Sequence, residues 1–280
     1  MRHGPFQSSE GEHCVSQAPV NCTLDERGVA TVTFNRPEVN NAYNDELIAA
    51  VLAAIDALAA EPRLRLLRLQ GAGKHFQAGA DLSWINRVRP ASAAANLEAI
   101  RATFDAVQRL NTLSVPTVAL VQGACFGGGT GIIAACDVVI AADNALFSIT
   151  EVRWGLTAAI IIPQLVDAIG VRQVRRYALT GERFDAHEAR RIGLVHEVVP
   201  VAALGAAGER VIEQLLANGP LALAETKQLA LDCAVGGEPA QAPRWLPLLE
   251  AHSAKRQTTE AAEGLASFAE KRPANWAPER

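Results

Sequence analysis

His75-Phe76-Gln77-Ala78-Gly79-Ala80-Asp81-Leu82 joins a strand-like apolar run to a helical pattern, and Gly127-Gly128-Gly129-Thr130-Gly131 does the same about fifty residues later. Small residues at both corners let bare backbone N–H groups approach a ligand closely. Two such corners can aim two N–H donors at one oxygen. That arrangement stabilises an oxyanion and points to chemistry on an acyl group.

Outward from these corners, strand and helix patterns alternate. Gly28 to Phe34 alternates like a strand, and Asn35-Arg36-Pro37 breaks it. Asn44 is placed to cap an Ala/Leu-rich helix, with Asp45 and Glu46 in its first turn and an end near Glu61-Pro62. Leu64 to Leu69 reads as a second strand, Ala91 to Leu113 as a long helix, and Thr117 to Val121 as a buried strand after Pro116. A short helix over Gly129 to Cys136 precedes a strand over Val138 to Ala142. Ala145 to Val152 reads as extended, and Gln164 to Ala178 as an amphipathic helix. This order is α/β.

Beyond Pro200 only helical patterns follow: Ala203 to Ala217, Leu221 to Val235 and Thr259 to Lys271, with a break at Gly236-Gly237-Glu238-Pro239. The expected division is therefore a polar leader over 1–20, a core over 21–200, and a helical region over 201–280 that packs on the main body or on another subunit.

Among 280 residues, 26 basic side chains stand against 30 acidic ones, which argues against nucleic acid as a partner. The first helix carries no Lys or Arg. Apolar runs such as Thr157 to Leu165 are too short to span a bilayer, so no membrane partner is expected. Five cysteines without a CxxC pair fit a reducing cytoplasm, with Cys125 and Cys136 as buried thiols. No His/Cys cluster has the spacing of zinc ligands, so no metal is expected. The absence of GxxxxGK[ST], of GxGxxG after a first strand and of GxSxG disfavours nucleotide loops and a serine hydrolase.

Glu151 is the candidate acid/base. Period-two alternation through Phe147-Ser148-Ile149-Thr150-Glu151 places it on the apolar face with Phe147 and Ile149. A carboxylate there is either ion-paired, for instance with Arg153, or functional. Burial would raise its pKa toward neutrality, where it can pass protons. Phe268 and Lys271, one turn apart near the C-terminus, read by themselves as an ordinary helix end. His75, His187 and His196 have no located partner and read as ordinary polar residues.

Several stretches together resemble the enoyl-CoA hydratase/isomerase (crotonase) superfamily. They are Asn35-Arg36-Pro37 with Asn41-Ala42, Phe76 to Leu82, Gly123 to Gly129, Cys136-Asp137, Thr150-Glu151 and Phe268 to Arg272. The resemblance covers about Asn21 to Trp276. It implies a spiral of ββα turns followed by a helical trimerisation region, and a trimer or dimer of trimers. It implies an acyl-CoA thioester substrate that brings its own CoA, with no further cofactor. The backbone N–H groups of Ala78 and Gly128 would hold the thioester oxygen. Gly79, Ala80, Asp81 and Gly131 would lie against the substrate. Val39 and Ala42 would line the CoA groove, and Phe268 and Lys271 would reach a neighbouring subunit's CoA.

Two-carboxylate hydratases have an earlier glutamate at the position of Gly131. This chain therefore keeps one acid/base, as Δ3-Δ2-enoyl-CoA isomerases do, and the glycine is expected to open space beside the substrate. Ala78 to Trp84, Phe126 to Ile132 and Tyr177 to Ala186 look most like bacterial hydratases of 3-methylglutaconyl-CoA or isohexenylglutaconyl-CoA. On that reading Trp154 to Ile160 shapes a pocket for a branched chain, and Arg153 holds the distal carboxylate. Double-bond isomerisation stays open beside hydration.

Overall fold

A computed structural model describes residues 18–88, 90–234 and 258–277. Its main sheet has six strands in the order β1 (Val20–Leu24), β2 (Val29–Phe34), β3 (Leu66–Gly71), β4 (Thr117–Val121), β6 (Val138–Ala142) and β9 (Glu197–Val199). β1 and β2 are antiparallel, and every later pair is parallel. A second sheet holds β5 (Ala124–Phe126), β7 (Leu146–Ser148) and β8 (Phe184–Asp185). Twice, at β4–β5 and at β6–β7, the chain lays one strand in the main sheet, bends at a corner, lays a short strand in the small sheet and continues into a helix. Gln77 joins this pattern through a bridge to Cys125. The ββα spiral and helical C-terminal region implied by the sequence are present.

The helices are α1 (Asp45–Ala59), α2 (Leu82–Val88), α3 (Ala93–Asn111), α4 (Gly128–Ala134), α5 (Ile162–Thr180, broken at Gly170), α6 (Ala186–Ile192), α7 (Leu204–Leu216), α8 (Pro220–Ala234) and α9 (Thr259–Glu270). Asn44 caps α1 as expected, its Oδ1 accepting from Leu47 N at 3.0 Å. β4 is buried at all five positions, as a parallel strand covered on both faces must be. One face of the sheet (Val32, Phe34, Leu67, Leu69) packs against Leu47, Ile55 and Leu58 of α1 and Val107 and Leu110 of α3. The opposite face meets Leu204, Ala207, Ile212 and Leu216 of α7.

Two expectations change. The 1–20 leader reaches too far: Asn35 N and Nδ2 donate to Pro19 O and Ala18 O, and Val20 already belongs to β1; residues 1–17 lie outside the described residues. The long helix expected over Ala91 to Leu113 is present as α3, capped by Ser92, and a short helix not expected, α2, precedes it with Asp81 as its cap. The extended segment stops at Ser148, because its partner β5 ends at Phe126 and Gly127 turns away into α4. Glu151 therefore opens a single 3-10 turn (Glu151–Trp154) and is not on a strand face.

The helical region packs on its own chain. Lys227 of α8 reaches Asp137 at 2.8 Å, and Glu260 of α9 accepts from Leu221 N and Ala222 N at 2.7 Å each. The break at 236–239 lies outside the described residues. No helix among the described residues is long and apolar enough to cross a membrane.

Candidate active site

The hydrogen bonds of the first corner decide which of its donors are free. Ala78 N donates to Asn40 O at 3.0 Å, Gly79 N to Gln77 Oε1 at 3.0 Å, and Asp81 N to Tyr43 O at 2.9 Å. Ala80 N is the donor left without a protein partner among the described residues. The expected donor Ala78 is thus replaced by Ala80, because a spent N–H cannot also serve a ligand. At the second corner Gly127 N donates to Ser148 O at 2.8 Å, while Gly128 N has no partner. Ala78, Ala80 and Gly128 all line one cavity of about 880 Å³, and Glu151 lines it too.

Gly79 holds φ +91°, and a side chain there would press on Phe126 O at 3.2 Å. Its role is to let the two corners approach, and it does not line the cavity. Asp81 does not line it either. Its Oδ1 accepts from Ser83 N at 3.0 Å and Trp84 N at 3.4 Å, and its Oδ2 faces Arg36 at 3.3 Å. Burial alone would raise its pKa, but Arg36 and the two amides hold it below the ordinary carboxylate value. Asp81 is a helix cap and ion-pair partner, not a cavity group.

Gly131 opens no space. A Cβ built there would sit 2.1 Å from Ile161 Cγ2 and 2.4 Å from its Cβ, so Ile161 fills the volume that a second carboxylate would need. Gly131 is buried, and it is Ile161 that lines the cavity in its place.

Glu151 projects back over Gly127: its Oε1 lies 3.1 Å from where a Cβ on that residue would stand, so only glycine permits the approach. Its Oε2 is buried with no hydrogen-bond partner. Burial raises its pKa above the ordinary value, opposed in part by the N–H groups of Glu151 and Thr150. The ion pair with Arg153 is not formed. Arg153 instead donates from Nε to Gly181 O at 2.8 Å. An orphaned acceptor on a half-buried carboxylate is costly unless something else supplies its proton donor.

Arg153 and Arg183 are both exposed and line the cavity. Arg183 lies over the Phe126 ring, 5.3 Å from its centroid, and neither arginine has a carboxylate partner among the described residues. Beside the main cavity is a smaller one of about 50 Å³, almost wholly apolar. The two share Tyr43, Thr103, Gly128, Ile160 and Ile161.

The sequence reading missed Tyr43, Trp84, Arg183 and Ile161. Arg183 and Trp84 stand in stretches quoted for the resemblance, but no spacing marks them as cavity residues. Of the CoA-groove candidates, Val39 is exposed in the turn Pro37–Val39 and Ala42 is buried, its carbonyl accepting from Arg36. Lys271 is exposed just after α9. None of these three lines the Glu151 cavity. The Phe268 side chain lies outside the described residues.

Residues 25–279 match the family model described as enoyl-CoA hydratase/isomerase. The chain is 35% identical over 205 residues to the hydroxycinnamoyl-CoA hydratase-lyase of Pseudomonas fluorescens, covering 72% of this chain and 74% of that protein. It is 29% identical over 212 residues to the peroxisomal Delta(3,5)-Delta(2,4)-dienoyl-CoA isomerase of Arabidopsis thaliana, covering 71% and 75%. The crystal structure of an enoyl-CoA hydratase from Shewanella pealeana superposes with a TM-score of 0.86 at 34% identity, covering 93% of this chain and 97% of that one.

Proposed function

Because the chain belongs to the enoyl-CoA hydratase/isomerase family, we propose that it adds water to a 2-enoyl-CoA that carries a C3 branch and a distal carboxylate. The observation that carries this reading is one cavity holding two unspent amides, Ala80 N and Gly128 N, and one carboxylate with an unspent oxygen, Glu151 Oε2. The amides hold the thioester oxygen as it becomes enolate-like. One such donor is worth about 10²–10³ in rate. Glu151 takes a proton from water as the water oxygen bonds to C3, then delivers that proton to C2. Atoms balance with a single acid/base acting twice.

The walls support this choice of substrate class. The apolar side cavity suits a hydrocarbon branch, and the unpaired guanidiniums of Arg153 and Arg183 suit a carboxylate at the other end. 3-Methylglutaconyl-CoA and isohexenylglutaconyl-CoA, substrates of leucine and acyclic terpene breakdown in the cytoplasm, fit this description. The CoA comes with the substrate and no other cofactor is needed. Val39 and Ala42 border its groove, while Phe268 and Lys271 serve the CoA of a neighbouring subunit in a trimer or a dimer of trimers.

A second reading, isomerisation between 3-enoyl and 2-enoyl thioesters, is favoured by one observation: Ile161 occupies the place of a second carboxylate. Mass analysis separates the two. Incubating the protein with carboxylated and uncarboxylated 3-branched enoyl-CoAs should give a gain of one water mass, fastest with the carboxylated compounds. Unchanged mass with a shifted double bond would replace hydration by isomerisation.

A further inference from the structure

With one carboxylate available, hydration needs a second group to orient the water. The geometry points to the Tyr43 hydroxyl as the group that holds the attacking water opposite Glu151. This rests on the hydratase reading above.

The two glycines of the second corner have different neighbours. Gly127 is faced by the Glu151 carboxylate, and Gly128 by the Tyr43 ring, whose Cε1, Cζ and hydroxyl lie 2.7, 3.3 and 3.4 Å from where a Cβ on Gly128 would stand. Carboxylate and phenol thus flank the same two-residue step that presents Gly128 N. Both line the cavity, and no described protein group hydrogen-bonds the Tyr43 hydroxyl. The neighbouring Ser148 hydroxyl is buried and donates to Gly181 O at 2.9 Å.

Tyr43 is also held in place. Its N–H donates to Gly79 O and its carbonyl accepts from Asp81 N, each at 2.9 Å, so its backbone brackets Ala80. Its ring meets Trp84 edge-on at 5.8 Å between centroids. The loop before it is pinned by fully buried Asn41, whose Nδ2 donates to Ala72 O at 2.9 Å and His75 O at 2.8 Å. A hydroxyl on such a frame is preorganised relative to the amide donors. Burial, with the Glu151 charge adding to it, raises the phenol pKa, so the group stays neutral while it works.

In the hydration step the phenol oxygen accepts one hydrogen of the water while Glu151 takes the other. The water lone pair is thereby aimed at C3. The hydrogen held by Tyr43 stays on oxygen and becomes the product hydroxyl. Tyr43 gains and loses no proton.

The test is Tyr43→Phe, which keeps the ring over Gly128 and removes only the hydroxyl. Two rates are compared on the same preparation: water addition to 3-methylglutaconyl-CoA, and uptake of deuterium from D2O next to the carbonyl of butyryl-CoA. Deuterium uptake needs the amides and Glu151 but no attacking water. Hydration kcat should fall roughly 10- to 100-fold, the scale of one lost hydrogen bond to a reacting group, with deuterium uptake changed less than about twofold. If neither rate moves, Tyr43 only packs; if both fall together, its hydroxyl serves the thioester oxygen or shapes the site. Either result overturns the proposal. A wild-type protein that takes up deuterium but adds no water fails the hydratase reading itself, before any variant is made.

Discussion

Asp137 and Glu151 are carboxylates separated by two strands of different sheets, β6 and β7, and the structure treats them in opposite ways. Asp137 stands just before β6, where its Oδ2 accepts from Thr117 N at 2.7 Å, Thr117 Oγ1 at 2.9 Å and Lys227 Nζ at 2.8 Å. It ties α8 to the sheet. Glu151 stands just after β7 and is half-buried, with one oxygen unpartnered and no counter-ion among the described residues. A carboxylate whose acceptors are spent on the fold holds elements together. One that the fold leaves unsatisfied is available to a substrate or a water. The difference lies in what surrounds each group, not in the chemistry of the groups.

The largest effect that tests this contrast is catalytic. Glu151→Gln keeps the shape but cannot accept a proton, so turnover of a good substrate should fall about 10²- to 10⁴-fold, with the protein still folded. Near-normal turnover would sink the assignment of Glu151. On the Asp137 side the effect should be on stability alone. Lys227→Met leaves Asp137 without its cation, and because that carboxylate is partly in solvent, denaturant unfolding should show a loss of about 2 kcal/mol. Activity of the remaining folded protein should be intact. A loss of turnover at unchanged stability would erase the distinction between the two sites.

A comparable loss of stability is expected at Gly131. Gly131→Ala must push Ile161 aside and should cost about 2 kcal/mol by overpacking, measured by the same unfolding curve. A neutral or stabilising result would mean that the space is open after all. The smallest effect is a pH dependence of stability. The folded-state pKa of Glu151 lies above its unfolded value. The fold therefore binds this proton more tightly than the unfolded chain does, and stability is lost as pH rises through the folded pKa. Glu151→Gln should melt slightly higher than wild type at neutral pH. That gain should vanish below the ordinary carboxylate range, where both side chains are neutral. A gain that stays constant with pH would assign it to something other than ionisation.

Much of the fold was legible because it is written in short-range patterns. The alternation of Val29 to Phe34, the apolar run of Val118 to Val121 after Thr117 and the Asn44 cap each report a local backbone requirement, and the structure has a strand, a buried strand and a capped helix there. Short elements escaped because they lack a period to read: β5, β8 and β9 have two or three residues each. Glu151 was picked out, but by a mistaken route. Alternation continued past Ser148 on paper, whereas the strand needed a partner that β5 no longer supplies.

By itself, then, the sequence determined the order of the longer strands, corners and helices, and it put Gly131 where the resemblance implies a second glutamate. Those are properties of neighbouring residues, set by side-chain period, capping and glycine. Only the tertiary structure decided that Ala80 rather than Ala78 keeps a free amide, that Ile161 closes the space beside Gly131, and that Tyr43 faces Gly128. Each depends on a group brought from far along the chain, such as Asn40 against Ala78. A hydrogen-bond donor is free or spent according to what packs beside it, and residue type does not record that.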